Sequence, residues 1–284
     1  MRPLTPFVLC ADDYGLTPGV SAGIRELLQD ERLTATSCIV ASPHWPAEGA
    51  KLRAMPRSFD VGLHLTLTQL APLGPMPRTA PKGVLPSSVG LTVRAYLARL
   101  DRREILAEID RQLDAFERVM GHPPDHVDGH QHVHQLPIVS DALIDRYKAR
   151  LPTGTFLRVS VDPLAAIWRR YIASLHASTL ACMGRRLKRT ADFAGIPMNQ
   201  RFAGVLNFNE SIGYRDMFRR FIEDAPTGLV VMCHPGYPDA TLRALDRVVE
   251  TRASELAYLA SFAFLHDVSC AGMCLGRFRD IACR

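Results

Sequence analysis

The sequence predicts an α/β protein organised around a parallel β-sheet, either open or closed into a barrel. Two observations carry that expectation. Short apolar runs rich in β-branched residues recur along the 284-residue chain, and segments with helical periodicity separate them. Composition agrees, because 47% hydrophobic and 22% charged residues is an ordinary globular balance.

The first run, Phe7–Ala11, leads into adjacent carboxylates, Asp12 and Asp13, in "VLCADDYG". In "TPGVSAGIRELLQDERL", Thr17 reads as a helix N-cap and Pro18 as the first helical residue. Strands are expected next at Ala35–Ala41 and Asp60–Leu67. The Pro-rich stretch from Ala71 to Pro86 reads as a long loop of the kind that forms lids or binding walls. In "REILAEIDRQLDAFERVMG", Ile105, Ile109, Leu113, Phe116 and Met120 share one helix face, and Gly121 sits where a C-cap belongs. Further strands are expected at His126–Gly129, Phe156–Val161, Val205–Phe208 and Leu229–Cys233, about seven in all. With no internal repeat or low-complexity tract, the expectation is one domain over 1–284, carrying a basic insertion at about 165–201.

That insertion holds Arg169, Arg170, Arg185, Arg186, Lys188, Arg189 and Arg201 against Asp192, so it carries +6 where the whole chain carries +5. It reads as a solvated helical face or as a surface for anionic substrate or membrane headgroups, which permits peripheral membrane contact. No nucleic-acid motif accompanies the charge, so nucleic acid is not expected as a partner. No apolar run reaches the roughly 18–20 residues of a membrane span. Acidic residues come too early for a signal peptide. Seven cysteines without a CxxC read as reduced thiols of a cytoplasmic protein, not as a cysteine-based zinc site. A homodimer is compatible with the sequence but not encoded visibly in it.

Titratable residues gather at the ends of the expected strands. Asp12 and Asp13 follow the first, His64 lies in the third, and "DHVDGHQHVHQLP" brings His126, Asp128, His130, His132 and His134 after the fourth. Arg158 sits in the fifth, and His234 follows "GLVVMC" directly. In α/β barrels the C-terminal ends of the strands form the active-site face. Two imidazoles and a carboxylate form a familiar ligand set for catalytic zinc, and such sets tolerate other divalent ions. A divalent cation also accounts for the paired aspartates, ligated by one and leaving the other as a general base. Residues alternate along an extended chain, so His130, His132 and His134 are expected on a shared side, with no choice among them as a ligand. His176 and His266 read as structural. Gly19–Gly23 matches the GxSxG of serine hydrolases, but Ser21 would fall inside a helix already begun.

"ADDYGLTPGV", "DVGLHLTLT", "DHVDGHQHVH" and "VVMCHPGYPD", in this order, closely resemble the YdjC-like carbohydrate deacetylases, which include chitooligosaccharide deacetylases and hopanoid-associated relatives. The resemblance spans roughly Phe7 to Asp239, and the "DGHQHVH" form is closer to the chitooligosaccharide branch. It implies a distorted (β/α) TIM-like barrel and a metal-dependent hydrolase that removes an N-acetyl group from an amino sugar, releasing acetate. It assigns Asp12 as catalytic base, His234 as general acid, and Asp13, His64 and His130 as ligands of one divalent ion, zinc or magnesium. His132 and His134 would then line or support the site, and Arg158 would hold Asp12 ionised or bind substrate. Gly129 stands where many relatives carry serine, and Tyr14 replaces a common phenylalanine, adding a hydroxyl expected beside the metal. Two alternatives remain at this point: a metal-dependent phosphoesterase acting on a phosphorylated or lipid-linked sugar, and a sugar-binding protein without catalysis.

Overall fold

The computed structural model describes residues 3–206, 212–246 and 248–281. Its spine is β1 (Thr5–Tyr14), buried continuously from Phe7 onward. Around it lie β2 (Ala35–Cys38), β3 (Asp60–Leu65), β4 (His126–Gly129), β5 (Phe156–Leu157), β6 (Arg201–Ala203) and β7 (Leu229–Cys233), in the spatial order β5-β4-β3-β2-β1-β7-β6. Every pairing is parallel. A further short strand, β8 (Met273–Leu275), pairs with Thr5–Phe7 of β1 and was not expected from the sequence.

Parallel strands need crossovers, and helices supply them. They are α1 (Pro18–Gln29) after β1, α2 (Trp45–Arg53) after β2, and α3 (Ser88–Tyr96) with α4 (Arg102–Met120) after β3. Next come α5 (Val139–Arg150), α6 (Leu164–Arg170) and α7 (Ser174–Phe193), then α8 (Tyr214–Ile222) after β6. After β7 follow α9 (Ala240–Leu245), α10 (Glu250–Ala260) and α11 (Phe262–Cys270). The start of α1 is as expected, with Thr17 accepting from Val20 N–H and Pro18 opening the helix. Gly121 ends α4 in the left-handed region, at φ 79°.

The two edges of this sheet, β5 and β6, meet through one bridge, Leu157 to Met198, and one side chain. Asn199 accepts from Val159 N–H and donates to Val159 C=O, both at 2.8 Å, replacing a missing ladder step with its own amide. The result is a distorted barrel of parallel strands.

Several strands are shorter than expected, because pairing stops before the apolar run does. The strand expected at Val205–Phe208 is displaced to Arg201–Ala203. Gly204, at φ 104°, leaves the β region and ends the ladder, and a Cβ there would meet Met232 O at 2.1 Å. Val205 and Leu206 carry no strand, and 207–208 lie outside the described residues.

Candidate active site

Neighbours in a regular strand point to opposite faces, so Asp12 and Asp13 should not share a cavity. They do, because β1 breaks its register against β2 between Ala11 and Tyr14, and Asp13 adopts φ 69°. A non-glycine residue held there is strained, as is common at functional sites. The bulge turns the second carboxylate toward the same space as the first, at the C-terminal end of the barrel.

Asp12 is gripped by Arg158 from just past β5, both carboxylate oxygens lying 2.6 Å from guanidinium nitrogens. The same Arg158 places Nε 3.0 Å from Asp128 of β4. Asp13 is held by Arg252 of α10 at 2.6 Å through Oδ2, and Arg252 also reaches Asp246 at 2.8 Å. Adjacent like charges are thus tolerated partly because each buried aspartate has its own arginine. Arg252 and then His130 hold the Asp13 carboxyl well below its usual range, against the opposing effect of burial.

The other oxygen of Asp13 faces two imidazoles. Oδ1 lies 2.9 Å from His130 Nδ1 and 3.4 Å from His64 Nε2. His64 Nδ1 donates to Asp128 Oδ1 at 2.6 Å, and the Ser37 hydroxyl donates to that same oxygen. This fixes the ring and aims its Nε2 at Asp13, the arrangement by which a carboxylate orients a metal-ligating histidine.

Asp13, His64 and His130 form one of three groups of donor atoms among the described residues that could hold a cation. The other two are Cys10–His126–Asp128 and Asp12–His64–Asp128. Arg158 contacts both oxygens of Asp12 and lies against Asp128, and Cys10, His126 and Asp128 do not line the cavity. The first group alone opens, through all three members, onto a cavity of about 210 Å³. Charge favours a cation as well. Three buried carboxylates, Asp12, Asp13 and Asp128, face two guanidiniums, and although burial lowers the His64 pKa, Asp128 and Asp12 raise it to about 10. A positive charge is wanted where the three donors meet.

His234 follows β7 and lines the same cavity. Its backbone N–H donates to Glu255 of α10 at 2.6 Å, while its Nδ1 has no partner among the described residues. Burial lowers the His234 pKa, with Asp13 and Asp12 pulling the other way. Glu255 is wholly buried, and burial pushes it up to about 7.

The "HQHVH" segment departs from expectation. It is a tight 3-10 turn, His130–Gln135, with Gln131 and His132 at positive φ, so strand alternation does not apply. His130 and His132 reach the cavity, and His132 Nδ1 is 2.9 Å from the Ser160 hydroxyl. His134 does not: it is fully buried and donates from Nε2 to the Arg158 carbonyl at 2.9 Å. Arg158 is likewise fully buried and lines no part of the cavity, so the expected substrate contact by Arg158 and His134 does not match their placement. Tyr14 also differs, since its hydroxyl donates to Glu48 C=O at 2.7 Å, away from the donor cluster. Ser21 sits inside α1 and donates to Thr17 C=O, with none of the strand-to-helix elbow that a serine nucleophile needs. His176, read as structural, lines the cavity. Arg252, Glu255 and Asp246 were missed. For Arg252 and Glu255 the signal was charge at core positions of a helix, since they share the buried face of α10 with Leu256 and Leu259, while Asp246 follows α9 and carried no such signal.

The family model described as YdjC-like protein matches residues 6–269. The chain is 28% identical over 275 residues to a chitooligosaccharide deacetylase of Enterobacter sp. (strain 638), covering 96% of this chain and 98% of the other. It is 28% identical over 248 residues to a carbohydrate deacetylase of Mus musculus, covering 83% and 79%. A crystal structure of a protein from Enterococcus faecalis V583 superposes with a TM-score of 0.72 at 21% identity, over 99% of this chain and 100% of that one. A family 4 carbohydrate esterase from Streptomyces lividans, in complex with acetate, gives 0.50 at 10% identity, over 99% and 97%. These two structural likenesses concern the fold.

Proposed function

Because this chain belongs to the YdjC-like protein family, we propose that it is a metal-dependent carbohydrate N-deacetylase, releasing acetate from an N-acetylated amino sugar of the chitooligosaccharide type. The observation that carries the reading is the cluster of Asp13, His64 and His130 opening onto the cavity, with Asp12 and His234 beside it. The donor set of two imidazoles and one carboxylate fits zinc, or magnesium with retained waters. The names and coverage of the Enterobacter and mouse relatives support the reaction class.

Asp13, His64 and His130 would hold the cation, which when bound polarises the acetyl carbonyl and lowers the pKa of the attacking water. Asp12 takes the proton of that water as the new C–O bond forms. Its Oδ2 lies 3.9 Å from His64 Nε2, close enough to share the site, and the Arg158 fork fixes its orientation. His234 gives a proton to the sugar nitrogen as the C–N bond breaks, since an amide nitrogen leaves poorly without one. Burial lowers the His234 pKa, which readies the imidazolium to give up its proton, and the proton that Asp12 took from the water returns to the imidazole to complete the turnover. Acetate and a free amine leave.

The test is acetate release from N-acetylated chitooligosaccharides by protein stripped with a chelator and then reloaded with zinc or magnesium. Release that depends on reloading is expected. No acetate with either ion overturns the reading. Equal release from stripped protein removes the metal from it.

A further inference from the structure

Two segments of unusual composition pack on the turn at the cavity, and the second supplies part of the cavity wall. One follows β3 and runs from Thr66 through α3 to Leu100, containing Arg78, Lys82, Arg94 and Arg99 and no acidic residue. The other follows β5 and runs from Pro163 through α6 into α7 as far as Ala191, containing six arginines and lysines and no acidic residue. Ten of the chain's 34 basic residues and none of its 29 acidic ones lie here. Both α3 and α7 pack on the turn that carries His130, and α7 supplies His176 and Leu180 to the cavity wall. Gln69 of the first segment hydrogen-bonds Gln131 of that turn at 2.9 Å.

These segments also expose large apolar side chains. Along α3, Leu91 and Ala95 face the core, while Val89, Val93, Tyr96 and Leu97, spaced as one helix face, are 51–72% exposed. Around the α6–α7 junction, Trp168, Tyr171 and Leu175 are 51–78% exposed. Arg169 beside them, and Arg185 and Arg189 further along α7, are exposed and make no ion pair with a described residue. Leaving so much apolar surface in water is costly, and although Phe193 and Phe262 are exposed elsewhere, the grouping of these side chains on two basic segments points to an occupant.

We propose that these two segments dock onto an anionic lipid bilayer, with the apolar side chains entering the headgroup boundary and the arginines meeting acidic lipids. Amphipathic helices with aromatic and aliphatic insertion residues flanked by cationic ones bind membranes in this way. A second copy of the chain is a poor occupant, because even with Arg78, Arg170 and Arg186 paired to Asp101, Asp162 and Asp141 it would set one predominantly basic surface against another. No helix among the described residues is long and apolar enough to span a bilayer, so the contact is peripheral. Docking brings the cavity mouth to the headgroup layer. Taken with the deacetylase reading, on which this consequence rests, it suits an acetylated amino sugar carried on a lipid.

The test is co-sedimentation of the purified protein with vesicles of phosphatidylcholine alone and of phosphatidylcholine mixed with phosphatidylglycerol. Binding to the anionic vesicles that weakens with added salt is expected. Vesicle addition should also shift tryptophan emission to the blue through Trp168, since Trp45 is already buried. Replacing Arg169, Arg185 and Arg189 together with glutamine should weaken vesicle binding roughly fivefold per residue, about a hundredfold in all. A Trp168→Ser, Leu175→Ser variant should lose the emission shift and most binding. Both variants should melt as the wild type does. Binding that ignores anionic lipid, or none at all, overturns the proposal. A loss of affinity for soluble chitooligosaccharide with vesicle binding intact also overturns it and assigns these segments to sugar. These readouts need no turnover, so failure of the deacetylase reading would appear separately.

Discussion

Asp128 touches no substrate in the proposed scheme, yet its removal should be felt at the cation site. Its Oδ1 holds His64 Nδ1 at 2.6 Å and takes the Ser37 hydroxyl, and its Oδ2 faces Arg158 Nε at 3.0 Å. Replacing it with alanine frees the His64 ring to rotate and to change tautomer, so that Nε2 is no longer presented to the cation. Loss of such an orienting carboxylate costs about 10–100-fold in metal affinity, or about 1.4–2.7 kcal/mol. Arg158 would keep Asp12 but lose its second carboxylate, a partly broken buried ion pair, and stability should fall by about 3 kcal/mol. Asp128→Asn retains an acceptor for His64 while removing the charge, so its affinity should lie between alanine and wild type. The assay is calorimetric titration of chelator-stripped protein with zinc, alongside thermal melting to confirm folding. Asparagine and alanine variants that fold and bind zinc as tightly as wild type would refute the orienting role.

His234→Ala should depress turnover far more than metal content, and an effect confined to metal loss would remove its acid role. Gly62→Ala should destabilise the fold by about 1–3 kcal/mol, because a Cβ there would meet His126 Nε2 at 2.3 Å in the packed barrel interior; an unchanged melting temperature would contradict this. Glu255 is held at about 7 by burial, above its unfolded value of about 4.3. The fold therefore keeps a proton that the unfolded chain has released, and this contribution is full below about pH 4 and lost as pH rises through 7. It is worth about 4 kcal/mol, and Glu255→Gln should flatten the decline in melting temperature over that range. Parallel declines in both proteins would show that Glu255 does not titrate there.

The parts of this fold that a reader of the sequence could see are those with local signals. Thr17–Pro18 and Gly121 mark helix ends by cap chemistry, and Asp12–Asp13 stand out because charge closes an apolar run. The barrel seam was not visible, because one Asn199 amide does the work of a ladder step and leaves no pattern. Nor was the turn at His130–Gln135, where backbone at positive φ replaces the extended chain that the alternation of histidines suggests. Of the candidate site, the clustering of Asp12, Asp13, His64 and the histidine run stood out at strand ends, while singling out His130 within that run rested on the family resemblance. Their electrostatic partners were less so. Arg252 lies 239 residues from Asp13, and only folding pairs them.

The most direct test of the central claim is acetate release from N-acetylated chitooligosaccharide by the metal-loaded wild type and by Asp12→Asn, with metal content measured on both. Wild type should release acetate, and the variant should hold the same metal while losing turnover by about 100-fold or more, the scale of a positioned general base. A wild type that releases no acetate, or a variant that releases it equally well, would contradict the account.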